Sequence, residues 1–411
     1  RLTDHLEDKT AGPRHRLWRI RAGHVCVATG ALERPLSFVG NDTPGVMLAS
    51  AMRDYAVNFG VSPGDRTVIV TNNDDAYRTA LALHEAGLGV PVIVDARAQA
   101  EGALPEAARA AGLDVRTGTG IAAVKGGKRV TGVALCAQAG EGAGTEEIAC
   151  DAVAMSGGWS PVVHVWSHTG GKLTWDEAGA FFRPDPLRPP TGADGFAAVS
   201  ITGAANGDLR LGEIVEELRE DQPDEAPLEP VWLMPQGAGI EKRSKMFLDF
   251  QNDVKVADVQ LAAREGFESV EHTKRYTTLG MATDQGKLSN INGLAVLADA
   301  LGAPIPEVGT TTFRPPYTPI SMGAIAGEAR GELFQPIRRS PVQDWHEANG
   351  ADVEPVGHWR RPYCFPRTGE DRQAAVKREI LATRGSVGLL DASTLGKIIV
   401  KGPDAARLMD M

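Results

Sequence analysis

The sequence predicts an α/β protein in which one βαβ-type domain is nested inside another and is followed by an α-rich segment. Three observations carry this. Residues 24–28 (His-Val-Cys-Val-Ala) form an apolar run that stops at Thr29-Gly30-Ala31, the pattern of a buried strand entering a tight turn. Arg66–Val70, Asp75–Ala86 and Val90–Val94 read as strand, helix and parallel strand, the helix closed by Gly87 and the second strand ending at Asp95. Asp258–Arg264, stopped by Gly266, and Asn290–Leu301 keep apolar or small residues at helical spacing, beyond an acidic, proline-rich stretch at 220–230.

Taken in chain order, the end of the first strand is a candidate ligand edge. Gly30 removes the side chain that would hold backbone and ligand apart; an ordinary buried strand ending in Thr-Gly is the alternative. In the nested unit, the turn after the first strand is Thr71-Asn72-Asn73-Asp74-Asp75. A dinucleotide site needs glycines there, so that backbone N–H groups and the helix N-terminus can approach pyrophosphate. Two carboxylates and no glycine oppose this, so the unit is expected to keep the fold without the grip. Strands at 114–116, 129–135 and 146–150 would complete it as a small meander. Ala152–Ser156, running into Gly157-Gly158, is expected to return the chain to the outer domain. Residues 181–194 read as a proline-rich surface loop. Ala197–Ile201 enters a second glycine turn, Thr202–Gly207, ahead of helical periodicity over Leu209–Leu218, and a domain boundary falls near 228.

The bulk properties exclude several classes. At 411 residues the chain exceeds one usual domain. A net charge of -10 and a pI near 5.5 oppose a nucleic-acid partner, because phosphate backbones reward basic surface. No apolar run reaches the roughly eighteen residues of a membrane span and no signal peptide opens the chain, so no membrane partner and a cytoplasmic location are expected. Arg1 at the front, and a domain opening interrupted at Met411, read as a fragment lacking both ends. Cys26, Cys136, Cys150 and Cys364 form no C-x-x-C pair and are expected to be small core residues. His164 and His168 are four apart, but the preceding Gly157-Gly158 and Pro161 weaken a helix there. His346 and His358 each neighbour a tryptophan. No hydrolase, zinc-protease or P-loop motif is present, so no catalytic residue and no metal ligand is assigned.

The densest polar segment is Lys274 followed by Arg275-Tyr276-Thr277-Thr278-Leu279-Gly280-Met281-Ala282-Thr283-Asp284-Gln285-Gly286-Lys287. Lys274, Arg275 and Lys287 offer positive charge to an anion, and Thr283, Asp284 and Gln285 offer polar groups that orient it. The plainer alternative is a helix junction: Thr283 or Asp284 caps the next turn, Gly286 supplies a bend, and the lysines stay in water. With Asp249-Phe250-Gln251-Asn252-Asp253-Val254 upstream and Thr312-Phe313-Arg314-Pro315-Pro316-Tyr317-Thr318-Pro319 downstream, the segment resembles the α subunit of heterotetrameric sarcosine oxidase. Gly388-Leu389-Leu390-Asp391-Ala392-Ser393 through Gly402-Pro403-Asp404-Ala405, with a strand expected at Lys397–Val400, resembles the start of the aminomethyltransferase fold.

The resemblance implies two nested dinucleotide-binding-type domains, an α-rich connecting domain and the start of an aminomethyltransferase-like, folate-binding domain. Their expected extents are 1–62 with 150–227 for the outer domain and 63–149 for the inner one. The connecting domain takes 228–330, and 331–411 is the N-terminal part of the aminomethyltransferase-like domain. It implies NAD in the outer domain, held around Ala28, Thr29, Gly30 and Gly203, with Ala204, Leu209 and Leu211 at positions matching the family's cofactor contacts. Ala204 stands where FAD proteins of this architecture carry an acid for the ribityl chain, which disfavours FAD in this chain. FMN and FAD belong, by the same resemblance, to a partner β subunit. Lys274, Arg275, Thr283, Asp284, Gln285 and Lys287 then become candidates for a flavin or subunit interface. β, γ and δ subunits are the implied partners, and sarcosine and tetrahydrofolate the implied substrates, with most of the folate pocket beyond Met411.

Overall fold

The computed structural model describes residues 2–4, 15–210 and 225–411. They form two compact units, one of residues 21–319 and one of residues 1–20 with 320–411. Residues 2–4 and 15–20, expected in the outer domain, thus group with the C-terminal part of the chain.

The centre of the larger unit is a five-stranded parallel sheet in the order Val46–Leu48, Ala152–Ser156, Thr67–Thr71, Ile93–Asp95, Val115–Arg116. Every residue of Thr67–Thr71 and of Ala152–Ser156 is buried, which is why both read as unbroken apolar or small runs. Alternate side chains divide two cores. Val68, Val70, Val94, Val153 and Met155 face a three-stranded antiparallel meander of Thr119–Lys125, Gly132–Ala137 and Glu146–Ala149. Ile69, Ile93, Ala152 and Ala154 face the helices Ala49–Phe59, Asp75–Glu85 and Ala103–Ala110. The expected βαβ unit is therefore present, with the glycine closing its first helix, Gly87, at a φ of 78°.

Two expectations change. Ala152–Ser156 does not reopen the outer domain; it lies inside the nested sheet, between Val46–Leu48 and Thr67–Thr71. A buried five-residue run fits either sheet, and only pairing chooses between them. The stretch 181–194 is not all loop: Phe181–Pro184 pairs antiparallel with Leu173–Asp176, and Trp175 meets Phe182 edge-on at 5.0 Å between ring centroids. Prolines flanking this strand hid it.

The outer domain is represented by the parallel pair Val25–Val27 and Val199–Ile201 and by the hairpin of Ala31–Glu33 with Trp159–Pro161. Cys26 is exposed on the first of these strands, unlike the buried Cys136, Cys150 and Cys364. The connecting region packs Val256, Val259, Val270, Leu279, Leu294 and Leu297 into one core, built from helices Val256–Arg264, Val270–Thr277 and Asn290–Leu301. The last two bracket the polar segment, as its flanking periodicity predicts.

In the smaller unit, Leu2–Asp4 pairs with His15–Leu17 and Asp352–Val356 with Trp359–Cys364. Helix Arg372–Gly385 is capped by Asp371, whose carboxylate accepts from the Ala374 N–H at 2.8 Å. His346 is buried and its Nε2 lies 3.1 Å from Asp391. The strand expected at Lys397–Val400 does not form; Ile398 and Ile399 are exposed and no described strand pairs with them. A short helix, Ala405–Met409, does follow Gly402-Pro403-Asp404. No described helix is long and apolar enough to cross a membrane.

Candidate functional site

The strand ends expected to hold a cofactor are neighbours in space. Val25–Val27 and Val199–Ile201 run parallel, so Ala28-Thr29-Gly30 and Thr202-Gly203-Ala204 emerge at the same sheet edge, where ligands of open α/β sheets bind. Gly30 and Gly203 have φ of 74° and 63°, left-handed values that favour glycine. The Thr29 hydroxyl donates to the Val162 carbonyl at 2.8 Å, while the Val162 N–H donates to the Gly30 carbonyl at 2.9 Å. After Gly203 the chain makes a single 3₁₀ turn, Gly203–Asn206.

Beside this edge lies a cavity of about 630 Å³, within the size range of small-molecule sites. Ala204 and Leu209 line it, as does Ala31 just beyond Gly30. Ala28, Thr29, Gly30 and Gly203 lie outside its wall, and Leu211 falls outside the described residues. Sequence reading did not bring the other lining residues to this site, among them Arg34, Trp159 and Phe181 from the outer domain, Asn73–Asp75 and Arg78 from the nested one, and Glu225–Leu228. The one signal for it was Arg34, a cation inside the run Ala31–Phe38.

The nested domain's own turn is closed by its side chains. Asp74 and Asp95 both pair with the Arg97 guanidinium, each at 2.7 Å, and all three side chains are essentially inaccessible. The Tyr77 hydroxyl donates to Asp95 at 2.7 Å; burial, and then the Asp95 charge, push its pKa up. Asp75 pairs with Arg53 at 3.2 Å and with Arg78 at 3.5 Å. Residues 225–229 of the acidic, proline-rich stretch seal the turn: Ala226 N–H donates to the Asp74 carboxylate at 2.7 Å, and the Asn72 amide donates to the Glu229 carbonyl at 2.7 Å. Where a nucleotide grip would hold pyrophosphate, carboxylates and a guanidinium neutralise one another.

The three signature runs meet in the connecting region. Asp249, buried, accepts from the N–H groups of Gln251 and Asn252 through one oxygen and from Gly280 at 2.7 Å through the other. The Asn252 amide donates to the Thr278 carbonyl at 2.9 Å, and Gln251 accepts from the Asp284 N–H at 3.2 Å. On the far side, Gln285 donates to the Pro316 carbonyl at 2.7 Å and Lys287 to the Tyr317 carbonyl at 2.6 Å, its ammonium 4.3 Å from the Tyr317 ring centroid. The helix-junction reading is met in part. Asp284 accepts from the Gly286 N–H and Gly286 bends at a φ of 74°, as a helix junction requires, but Lys287 is docked on an aromatic ring instead of solvated. A Cβ on Gly286 would stand 2.1 Å from the Asn290 side-chain oxygen, so the bend is specific to glycine.

Lys274, Arg275 and Gln285 line a second cavity, of about 240 Å³, with Glu271 and Arg314. Burial lowers the Lys274 pKa; Glu271 opposes this and Arg314 and Arg275 add to it. Arg275 is partly committed to Glu271, at 3.0 Å. The cationic rim fits an anionic group. Thr283 is exposed beside it, and Asp284 and Lys287 point elsewhere.

His164 and His168 do share a short helix, His164–His168. His164 is buried, 4.1 Å from the Phe313 ring and 5.2 Å from that of Tyr317 by centroids, with neither ring nitrogen hydrogen-bonded. Burial, then Lys287 and His168, lower its pKa to about 4. A histidine whose folded pKa is lowered contributes stability that is present above the unfolded value of 6.5 and lost as pH falls through the folded value. Unfolding free energy is therefore expected to fall by about 3 kcal/mol between pH 7 and pH 4 from this residue. His164→Phe should remove that increment from the pH profile of urea unfolding; an unchanged profile would refute it. Among the described residues no group of three or more His, Cys, Asp or Glu is placed to hold a metal.

Residues 243–328 match the sarcosine oxidase A3 domain model, and residues 342–411 the GCVT N-terminal domain model. Over 426 aligned residues the whole chain is 44% identical to the sarcosine oxidase α subunit of Rhizobium meliloti (strain 1021). The chain is a relative of the sarcosine oxidase α subunits. The Corynebacterium sp. (strain P-1) protein of the same name is 42% identical, again over the whole chain. This sarcosine oxidase α relative spans 42% and 44% of the length of those two proteins, so it corresponds to less than half of each. One of the opine oxidase subunits of Rhizobium meliloti (strain 1021) is 25% identical over 76% of the chain and 78% of that protein. Among solved structures, L-proline dehydrogenase from P. horikoshii aligns with a TM-score of 0.54 at 20% identity, covering 74% of this chain and 58% of that one, a likeness of fold. The α/β class, the dinucleotide-binding-like architecture and the aminomethyltransferase-like domain are thereby established for the chain. The convergence of the 249–254, 274–287 and 312–317 runs lies within the residues matched to the A3 domain.

Proposed function

We propose that the chain forms part of the α subunit of a cytoplasmic sarcosine oxidase, a heterotetramer with β, γ and δ subunits. The reaction is oxidative demethylation of sarcosine to glycine with oxygen as acceptor, giving hydrogen peroxide and, with tetrahydrofolate, 5,10-methylenetetrahydrofolate. The identity of 40–44% to three sarcosine oxidase α subunits over the whole chain supports this over the 25% to an opine oxidase subunit. FMN and FAD on the β subunit supply the amine-oxidising chemistry when bound. The role of this chain is to bind and cover: NAD in the cavity lined by Ala204 and Leu209, and a partner's flavin, at a subunit interface, against Lys274, Arg275 and Gln285. Thr283 extends that surface at its edge, and Asp284 and Lys287 brace it from behind. Ala204 in the cavity wall, with no acid at that position, and the left-handed glycine turns at Gly30 and Gly203 beside it support a dinucleotide, and the self-paired Asp74–Arg97–Asp95 turn argues for a single one, in the outer domain.

Coexpression of the full-length α subunit with its partners tests the reading. Peroxide release from sarcosine, together with one NAD per α subunit on denaturation, is the expected result. Preference for another secondary amine would favour an opine-type oxidase. Activity unaffected by omitting the α subunit would favour a noncatalytic nucleotide-binding scaffold, and tightly bound FAD in the isolated α subunit would overturn the NAD assignment.

A further inference from the structure

Arg34 is a buried cation with no anion beside it among the described residues. Its side chain is 2% exposed. The guanidinium donates through Nη1 to the Ala180 carbonyl at 2.7 Å and through Nη2 to the Gly179 carbonyl at 3.0 Å, and it lies 5.5 Å from the Trp232 ring centroid. Nε has no partner, and no described carboxylate forms an ion pair with the group. Arg97, equally buried in the neighbouring domain, has two carboxylates. Burial lowers the Arg34 pKa to about 9, which still leaves it charged at neutral pH. Lone buried charges are costly, and proteins place them where something compensates.

The surroundings indicate where the compensation enters. Arg34 lines the 630 Å³ cavity together with Trp159, Phe181 and Ala204. Gly158, at a φ of 96°, passes so close that a Cβ there would stand 2.6 Å from Nη2. Only glycine leaves that side of the guanidinium unobstructed. The carbonyls of Gly179 and Ala180 fix the fork, so it is held in place before any ligand arrives.

We propose that Arg34 is the counter-charge for an oxyanion bound in this cavity. Phosphate and carboxylate share the required chemistry, and Arg favours both through its planar fork. The diphosphate of the dinucleotide is one source, and to that extent the inference rests on the NAD assignment above; the carboxylate of a small organic acid is the other.

Binding to the full-length protein, wild type and Arg34→Met, separates these sources, using NAD, ADP-ribose and acetate as probes and thermal shift with calorimetry as readouts. Loss of the charged partner should weaken the responsible probe by roughly 10- to 100-fold. Ligand-free Arg34→Met should be no less stable than wild type, because a lone buried cation has been removed. An arginine serving only to tie down the 179–180 backbone would show the reverse: lower stability and unchanged affinity for all three probes, which overturns the proposal. If NAD binds both forms equally, the Arg34 inference fails while the NAD assignment stands. If wild type ignores NAD yet binds acetate in an Arg34-dependent way, the NAD assignment fails and Arg34 stands. Should Arg34→Met not fold, ¹⁵N-arginine spectra of the wild type decide, with the Arg34 Nε resonance assigned through Arg34→Lys. A shift of that resonance on addition of a probe supports the inference, and none with any probe refutes it.

Discussion

Arg97→Met is expected to destabilise the larger unit by about 5 kcal/mol, at the upper end for breaking a buried ion pair. The guanidinium serves two carboxylates with no solvent access: it donates to Asp95 through Nη2 at 2.7 Å and through Nε at 3.1 Å, and forms an ion pair with Asp74 at 2.7 Å. Methionine fills similar space but leaves two negative charges facing one another in an apolar interior. The loss belongs to the orphaned carboxylates, so the triple change Arg97→Met, Asp74→Asn, Asp95→Asn should recover most of it. Urea unfolding followed at a constant m-value measures both. A loss under about 1 kcal/mol in the single variant would mean that the turn is held by its other bonds, such as those of Asn72 and Asn73.

Asp249→Ala should cost about 4 kcal/mol and unfold the signature cluster ahead of the parallel sheet. One carboxylate holds three backbone N–H groups, on Gln251, Asn252 and Gly280, and bonds to charged acceptors contribute about 1.5–3 kcal/mol each when not offset. Gly280 has a φ of 66° and a Cβ there would stand 2.2 Å from the Asn290 oxygen, so the loop cannot shift to find other partners. Asp249→Asn keeps one acceptor oxygen and should lose about half as much. Hydrogen exchange of the Gly280 amide is the direct readout. If it stays protected in Asp249→Ala, the cluster is held from the 312–317 side instead.

Much of the architecture was legible because it rests on local pattern. The βαβ unit showed itself in an apolar strand, a helix with a glycine stop and a second apolar strand, since each satisfies its own burial requirement along the chain. Helix Asn290–Leu301 was legible to the residue. What the pattern cannot carry is pairing. Ala152–Ser156 has the same buried signature in either sheet, and Phe181–Pro184 was hidden among prolines that tolerate an edge strand. Lys397–Val400 shows the opposite failure, a strand-like run that finds no described partner.

For the candidate site, the sequence by itself marked the candidate residues: the glycine turns at Gly30 and Gly203, the altered turn at Thr71–Asp75, and the dense polar run from Lys274 to Lys287. These follow from residue type, because φ freedom and charge are properties of the residue wherever it stands. Only the tertiary structure decided what each one meets. It joined Asp249 to Gly280 across 31 positions and Lys287 to Tyr317 across 30, neutralised Asp74 with Arg97, and left Arg34 buried with no anion among the described residues. Charge compensation depends on distance and desolvation, and neither is written in the order of the residues.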